Sequence, residues 1–247
     1  MIRNITLTGF LFAFMAVMGA VQPAQAASDE EIAVSLATLL RSARAVISKN
    51  QKHINTASIG KKGISADMVV KTAKANYKAA TGNSLDDIDA ASTQGKLIKA
   101  QLAAIRSVMD KAQETINQKG VGLKGFLPAV FARLVTQRFA GLSGGAATLK
   151  LTAPKKYVCN RANRPDKWER GNIKKFRADG YPKNKHITES TTVKGKSAFR
   201  LILPEYYKKS CLGCRGGPKG ERDITGGKKE GGKLGEVGGA ISVVIFK

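Results

Sequence analysis

The sequence predicts an α+β fold, with helices in the N-terminal half and an antiparallel β-sheet in the C-terminal half. Three observations predict it. Apolar residues recur at three- and four-residue spacing through four segments between about residue 28 and residue 140. After the glycine-rich stretch 141–145 the apolar period changes to two. The chain then ends on a β-branched run. Helices first and strands later is the order of an α+β arrangement.

The first 26 residues read as a secretory leader and not as fold. Arg3 supplies a positive start, and Ile5 to Val21 is mostly apolar, centred on Phe10, Leu11, Phe12, Phe14, Met15 and Val17. Ala24-Gln25-Ala26 places small residues where a signal peptidase cuts, so cleavage is expected after Ala26. The apolar run is short for a bilayer span, and no later run could serve as one, so the mature chain is expected to lack a transmembrane segment. No cysteine follows the cut to carry a lipid. Residues 27–247 are then expected to form a single α+β domain in the periplasm or outside the cell, with a helical part at 28–142 and a sheet part at 146–247.

Element by element, Ser28 with Glu31 makes a capping box that opens a helix over about 28–49. Its stripe is Ile32, Leu36, Leu39, Leu40, Ala43, Val46 and Ile47. Ser65 caps a second helix through Val69, Val70, Ala73 and Tyr77, ending near Gly82. A third covers about 94–118, with Leu97, Ile98, Leu102, Ile105, Val108, Met109, Ala112 and Ile116 on one face. A fourth runs from about 126 to 140. Strands are expected at 148–152, at Ser197 to Leu203 and at Ala240 to Phe246. Between the last two strands lies a long stretch rich in glycine and lysine, 208–239, of a length that is usually functional or disordered.

The charge balance is strongly basic, 42 Lys and Arg against 18 Asp and Glu. In a cytosolic chain this would point to nucleic acid. The leader argues against that, and an anionic surface or an acidic partner takes its place. There are three cysteines, Cys211 and Cys214 in a C-x-x-C and Cys159 alone. No Ser-His-Asp set, H-E-x-x-H or phosphate-cradling loop is present, and no enzymatic turnover is expected.

The segment that carries chemistry is Glu205-Tyr206-Tyr207-Lys208-Lys209-Ser210-Cys211-Leu212-Gly213-Cys214-Arg215-Gly216-Gly217-Pro218. A c-type haem site is C-x-x-C-H, two thiols for the vinyl groups and a histidine for the iron. Here Arg215 stands in the histidine's place, and a guanidinium keeps its protons and does not ligate iron. With Asp223-Ile224-Thr225-Gly226, Lys229-Glu230-Gly231-Gly232-Lys233-Leu234-Gly235 and Gly239-Ala240-Ile241-Ser242-Val243, this segment resembles the C-terminal signature of a bacterial family of exported, PAS-like, c-type-haem-binding sensor domains. Pro165-Asp166-Lys167-Trp168-Glu169 is similar to that family's earlier motif. The helical segments 43–51, 74–82 and 124–131 resemble one branch of it.

The resemblance implies a PAS-like antiparallel sheet and haem c held at Cys211 and Cys214, with Arg215, Trp168 and Lys229 beside it. Lys228, Lys229 and Lys233 would pair with propionates, and Cys159 is a candidate metal ligand. The role implied is redox or ligand sensing, or electron transfer, passed to a separate redox or signalling protein. The chain departs from the pattern at Arg215, at Gly227 where an aromatic is expected, and at Cys159. The arginine leaves a haem-free interaction or ligand-binding module of the same fold as the alternative. A thiol–disulfide enzyme is disfavoured, because Gly216, Gly217 and Pro218 oppose a following helix. The remaining candidate ligands are His53, expected in a polar stretch after the first helix, and His186, in a lysine-rich loop.

Overall fold

The computed structural model describes residues 26–158 and 160–247. The expected leader cleavage and Cys159 therefore fall outside the described residues, apart from Ala26. No helix among the described residues is long and apolar enough to cross a membrane.

Four long helices come first: α1 (Asp29–Ile54), α2 (Ala66–Thr81), α3 (Thr93–Asn117) and α4 (Pro128–Leu142). The capping box expected at α1 is present, with the Glu31 amide donating to Ser28 Oγ at 3.2 Å and the Ser28 amide donating back to Glu31 Oε2 at 2.7 Å. Ser65 caps α2 and Ser92 caps α3 with the side-chain half of that arrangement, accepting from the Met68 and Gly95 amides. Helix α2 ends on Gly82, whose φ of 78° is a left-handed value that suits a residue without Cβ. Helix α1 runs a turn and a half further than its apolar stripe suggested. His53 therefore lies in its last turn and not in a loop, with Nε2 2.9 Å from the Lys62 carbonyl.

The sheet has four strands, all antiparallel, in the order β1-β4-β3-β2: β1 (Ala147–Thr152), β2 (Ile187–Val193), β3 (Lys196–Tyr206) and β4 (Val237–Phe246). The expected α+β class is therefore the observed one. Strand β2 and helix α5 (Lys167–Phe176) are additions to the expected elements. Strand β4 is flanked on both sides and is almost wholly buried.

Alternation along the central strands separates two cores. Leu201 and Leu203 of β3 and Ile241, Val243 and Ile245 of β4 join the helical core with Leu36, Leu40, Ile47, Phe131 and Phe139. On the opposite face Ile202 and Ala240 meet Ile173 and Phe176 of α5. The sheet is thus a middle layer, with the four long helices on one side and α5 on the other.

Where α1 crosses the sheet, one carboxylate joins the two layers. Glu205, at the end of β3, accepts from Arg41 Nε and Arg44 Nη1, each at 2.6 Å. Burial alone would push the Glu205 carboxyl up, but Arg44 and Arg41 hold it below its ordinary value. Glu205→Ala leaves two partly buried guanidiniums without their acid and should cost about 3 kcal/mol, measured by denaturant unfolding. Because the folded-state pKa is depressed, this contribution is complete above the ordinary value of 4.5 and is lost as pH falls through the lower folded-state value. The gap between wild type and variant should therefore narrow in acid.

Candidate functional site

The cysteine segment lies just beyond β3. A single 3-10 turn, Lys209–Cys211, runs into a one-turn helix, α6 (Leu212–Arg215). Cys211 and Cys214 are both free thiols and both half-buried. The Lys208 amide donates to Cys211 Sγ at 3.4 Å, and Ser48 of α1 reaches Ser210 at 3.0 Å. Burial raises the pKa of the Cys214 thiol, and the nearby Asp223 carboxylate adds to this against the pull of Arg215. That is the reverse of the activation a nucleophilic cysteine needs.

The long glycine-rich stretch is folded, and its own backbone shows how. The Gly231 amide donates to the Gly216 carbonyl and the Gly232 amide to the Arg215 carbonyl, each at 2.9 Å. Between these two ends the chain turns back on itself, with Gly220 and Lys229, and then Lys229 and Glu221, paired through backbone hydrogen bonds. The Asp223 carboxylate closes the tip by accepting from the Thr225 and Gly227 amides at 2.7 and 3.0 Å. An aromatic, which the family resemblance would put at Gly227, is replaced by a residue whose amide ties this tip.

At the base of this structure is a buried glutamate. Glu230 is 6% exposed. One of its carboxylate oxygens accepts from Arg215 Nη1 and the other from the Tyr207 hydroxyl. Arg215 also donates to the Tyr157 carbonyl at 3.1 Å, so one guanidinium joins the cysteine turn to the segment after β1. The Tyr207 ring is held between two glycines. A Cβ on Gly232 would stand 2.3 Å from Tyr207 Cε2, and one on Gly238 2.4 Å from Cε1. Glycine is needed at both positions for close approach, not for backbone freedom.

Of the other residues singled out in the sequence, Lys229 lies in this folded-back segment beside Glu230. Trp168 lies on α5, with its indole N–H donating to Glu189 at 2.5 Å and the Arg200 guanidinium 4.2 Å above its ring. Arg200 is buried and pairs with Asp166 at 2.6 Å, while the buried Glu169 pairs with Lys150 at 2.7 Å. Burial pushes the Asp166 carboxyl up, but the Glu169 amide, Arg200 and Lys150 hold it below its ordinary value. Trp168 and Arg200 line a cleft of about 710 Å³. Lys229 is paired with Glu221 at 2.6 Å. His186 is 2.8 Å from Glu30.

A second cleft, of about 520 Å³, lies between Pro154, Lys155 and Lys156 and the outer side of α5. Neither cleft is lined by Cys211 or Cys214.

These positions bear on whether the donor set fits a haem c. The two thiols are free to form thioethers. Arg215, in the position of the iron ligand, is committed to Glu230 and to a backbone carbonyl. His53 is engaged with the Lys62 carbonyl and His186 with Glu30. No group of three or more His, Cys, Asp or Glu residues suited to a metal ion occurs among the described residues. The described residues therefore do not fit a histidine-ligated haem.

A family model described as Tll0287-like matches residues 84–245. No curated protein and no solved structure matches the chain.

Tyr207 offers a direct probe of the buried glutamate. Burial raises its phenol pKa well above the ordinary value of 10.0, the bond to Glu230 and that carboxylate's charge raise it further, and Arg215 and Arg177 oppose. In an absorbance titration one tyrosine should stay neutral past the ionisation of the others, and Tyr207→Phe should remove that late step. The raised folded-state pKa means that this group's contribution is complete below the ordinary value and is lost as pH rises through the folded-state value.

Proposed function

Because the chain belongs to the Tll0287-like family and its cysteine turn is anchored by an arginine, we propose that it is an exported, haem-free member of that family. In this reading it acts as a non-enzymatic binding or interaction module in redox or ligand sensing, and its output passes to a separate protein. The observation that carries the reading is the pairing of Arg215 with the buried Glu230. In a haem c protein the residue after the second cysteine faces the iron. Here that position serves the chain's own interior, and its side chain has no lone pair to offer.

The cysteine turn keeps a use without haem. Two thiols three residues apart, half-buried and held by a fixed backbone, form a compact surface feature beside α1 and the end of β3. The raised pKa of Cys214 keeps it in the thiol form at neutral pH, which suits a structural or recognition role more than disulfide exchange. A PAS-like role is supported by the four-stranded antiparallel sheet.

A second reading has its own observation. Both thiols are free and half-buried, so haem c attached at Cys211 and Cys214 keeps its anchoring groups. Against it stands Arg215, which occupies the iron ligand's position and is engaged with Glu230 and the Tyr157 carbonyl. Expression with a cytochrome c maturation system separates the two readings. Wild type should show no Soret band that survives acid–acetone extraction, and Arg215→His should raise covalent haem several-fold by restoring the attachment motif. A strong, extraction-resistant Soret band in wild type would establish the second reading instead.

A further inference from the structure

The cleft of about 520 Å³ is lined by Lys155, Lys156, Arg170, Lys174 and Arg177 over a floor that includes the buried Ile173. It has five cations and no carboxylate in its lining. Among the described residues none of the five forms an ion pair, although ten other Lys, Arg and His side chains in the chain do, at Arg41, Arg44, Lys74, Arg106, Lys150, His186, Arg200, Arg215, Lys229 and Lys247. Lys174 and Arg177 sit at the C-terminal end of α5, where positive charge favours the helix dipole. That explains two of the five. It does not explain Lys155 and Lys156, which come from a different segment and face α5 across the cleft.

We propose that this cleft binds a phosphate-bearing ligand carrying at least two negative charges. Five like charges gathered around one concavity repel one another, and a singly charged ligand would leave most of that repulsion in place. A phosphate monoester or a pyrophosphate offsets more of it. Arg177 supplies a planar fork that matches phosphate oxygens two at a time, Arg170, with Nη1 on the Pro165 carbonyl at 3.1 Å, adds charge beside it together with Lys174, and Lys155 and Lys156 act as point charges on the opposite wall. The apolar floor, Ile173 with Pro154 and Ala178, gives room for the body that carries the phosphate.

The cleft is linked to the cysteine turn. Tyr157 follows Lys156 directly and its carbonyl accepts from Arg215, and Arg177 acts electrostatically on Tyr207. The proposal does not depend on whether the cysteines carry haem.

Two sources share this chemistry, a soluble organophosphate and the phosphomonoester headgroup of an anionic lipid. The test uses the whole mature chain and two probes: inorganic pyrophosphate, followed by calorimetry, and vesicles of phosphatidic acid in phosphatidylcholine, followed by co-sedimentation. Lys155→Gln with Lys174→Gln removes two cations that make no hydrogen bond or ion pair in the described structure. Lys61→Gln with Lys119→Gln removes the same charge elsewhere, and thermal melts check that both variants fold. Affinity for one probe should fall at least tenfold in the cleft variant, stay near wild type in the control, and weaken as salt is raised. Loss confined to pyrophosphate identifies a soluble ligand, and loss confined to vesicles identifies the headgroup. Binding of neither probe by wild type, or equal binding by the cleft and control variants, overturns the proposal.

Discussion

A carboxylate buried among cations organises the C-terminal third of this protein. Glu230 is taken out of water in a chain of formal net charge +24, and it is held there by the Arg215 guanidinium and the Tyr207 hydroxyl. A buried charge is tolerated where it is paired and hydrogen-bonded on each oxygen, and Glu230 meets both conditions. The cysteine turn, the segment after β1 and the end of β3 all converge on this one group. Through it a stretch of some thirty residues, poor in apolar side chains, acquires a defined course.

That pairing also explains the unusual residue after the second cysteine. A histidine at position 215 would be a weaker partner for Glu230, because its charge is lost near neutral pH. An arginine stays charged at any pH the folded chain meets. Arginine at this position therefore completes an internal ion pair that a histidine would hold less firmly. Its contacts with Glu230 and the Tyr157 carbonyl commit this side chain to the protein's own interior. Tyr207 reinforces it, since its ring fills the space that Gly232 and Gly238 leave open.

Much of the architecture was legible because it follows from local periodicity. The stripes of α1 to α4, the Ser28–Glu31 box and the left-handed Gly82 needed no tertiary information. Strand β2 escaped because Ile187-Thr188-Glu189-Ser190-Thr191-Thr192-Val193 is an edge strand paired to β3 alone and largely open to water, so it shows little apolar alternation. Helix α5 escaped because few of its residues are apolar, and Gly171 and Asn172 interrupt them. Its capping residues Asp166 and Glu169 were nonetheless in view. Glu230 was missed for a different reason. Its partners are 15 and 23 residues away, and no spacing rule reaches that far. The one available signal was compositional: a lone acid after Lys228-Lys229, flanked by paired glycines. The partners of Trp168 and Lys229 were equally out of reach of spacing rules: Trp168, on α5, packs against Arg200 of β3, and Lys229 pairs with Glu221.

The central claim is that Arg215 works as the structural partner of Glu230. A double-mutant cycle with Arg215→Gln and Glu230→Gln, followed by denaturant unfolding, isolates the energy between them. The account predicts that each single substitution is strongly destabilising, that the double variant recovers part of the loss, and that the coupling is at least about 2 kcal/mol. Losses that simply add, leaving no coupling, would show that the arginine at this position is held by something other than the buried glutamate.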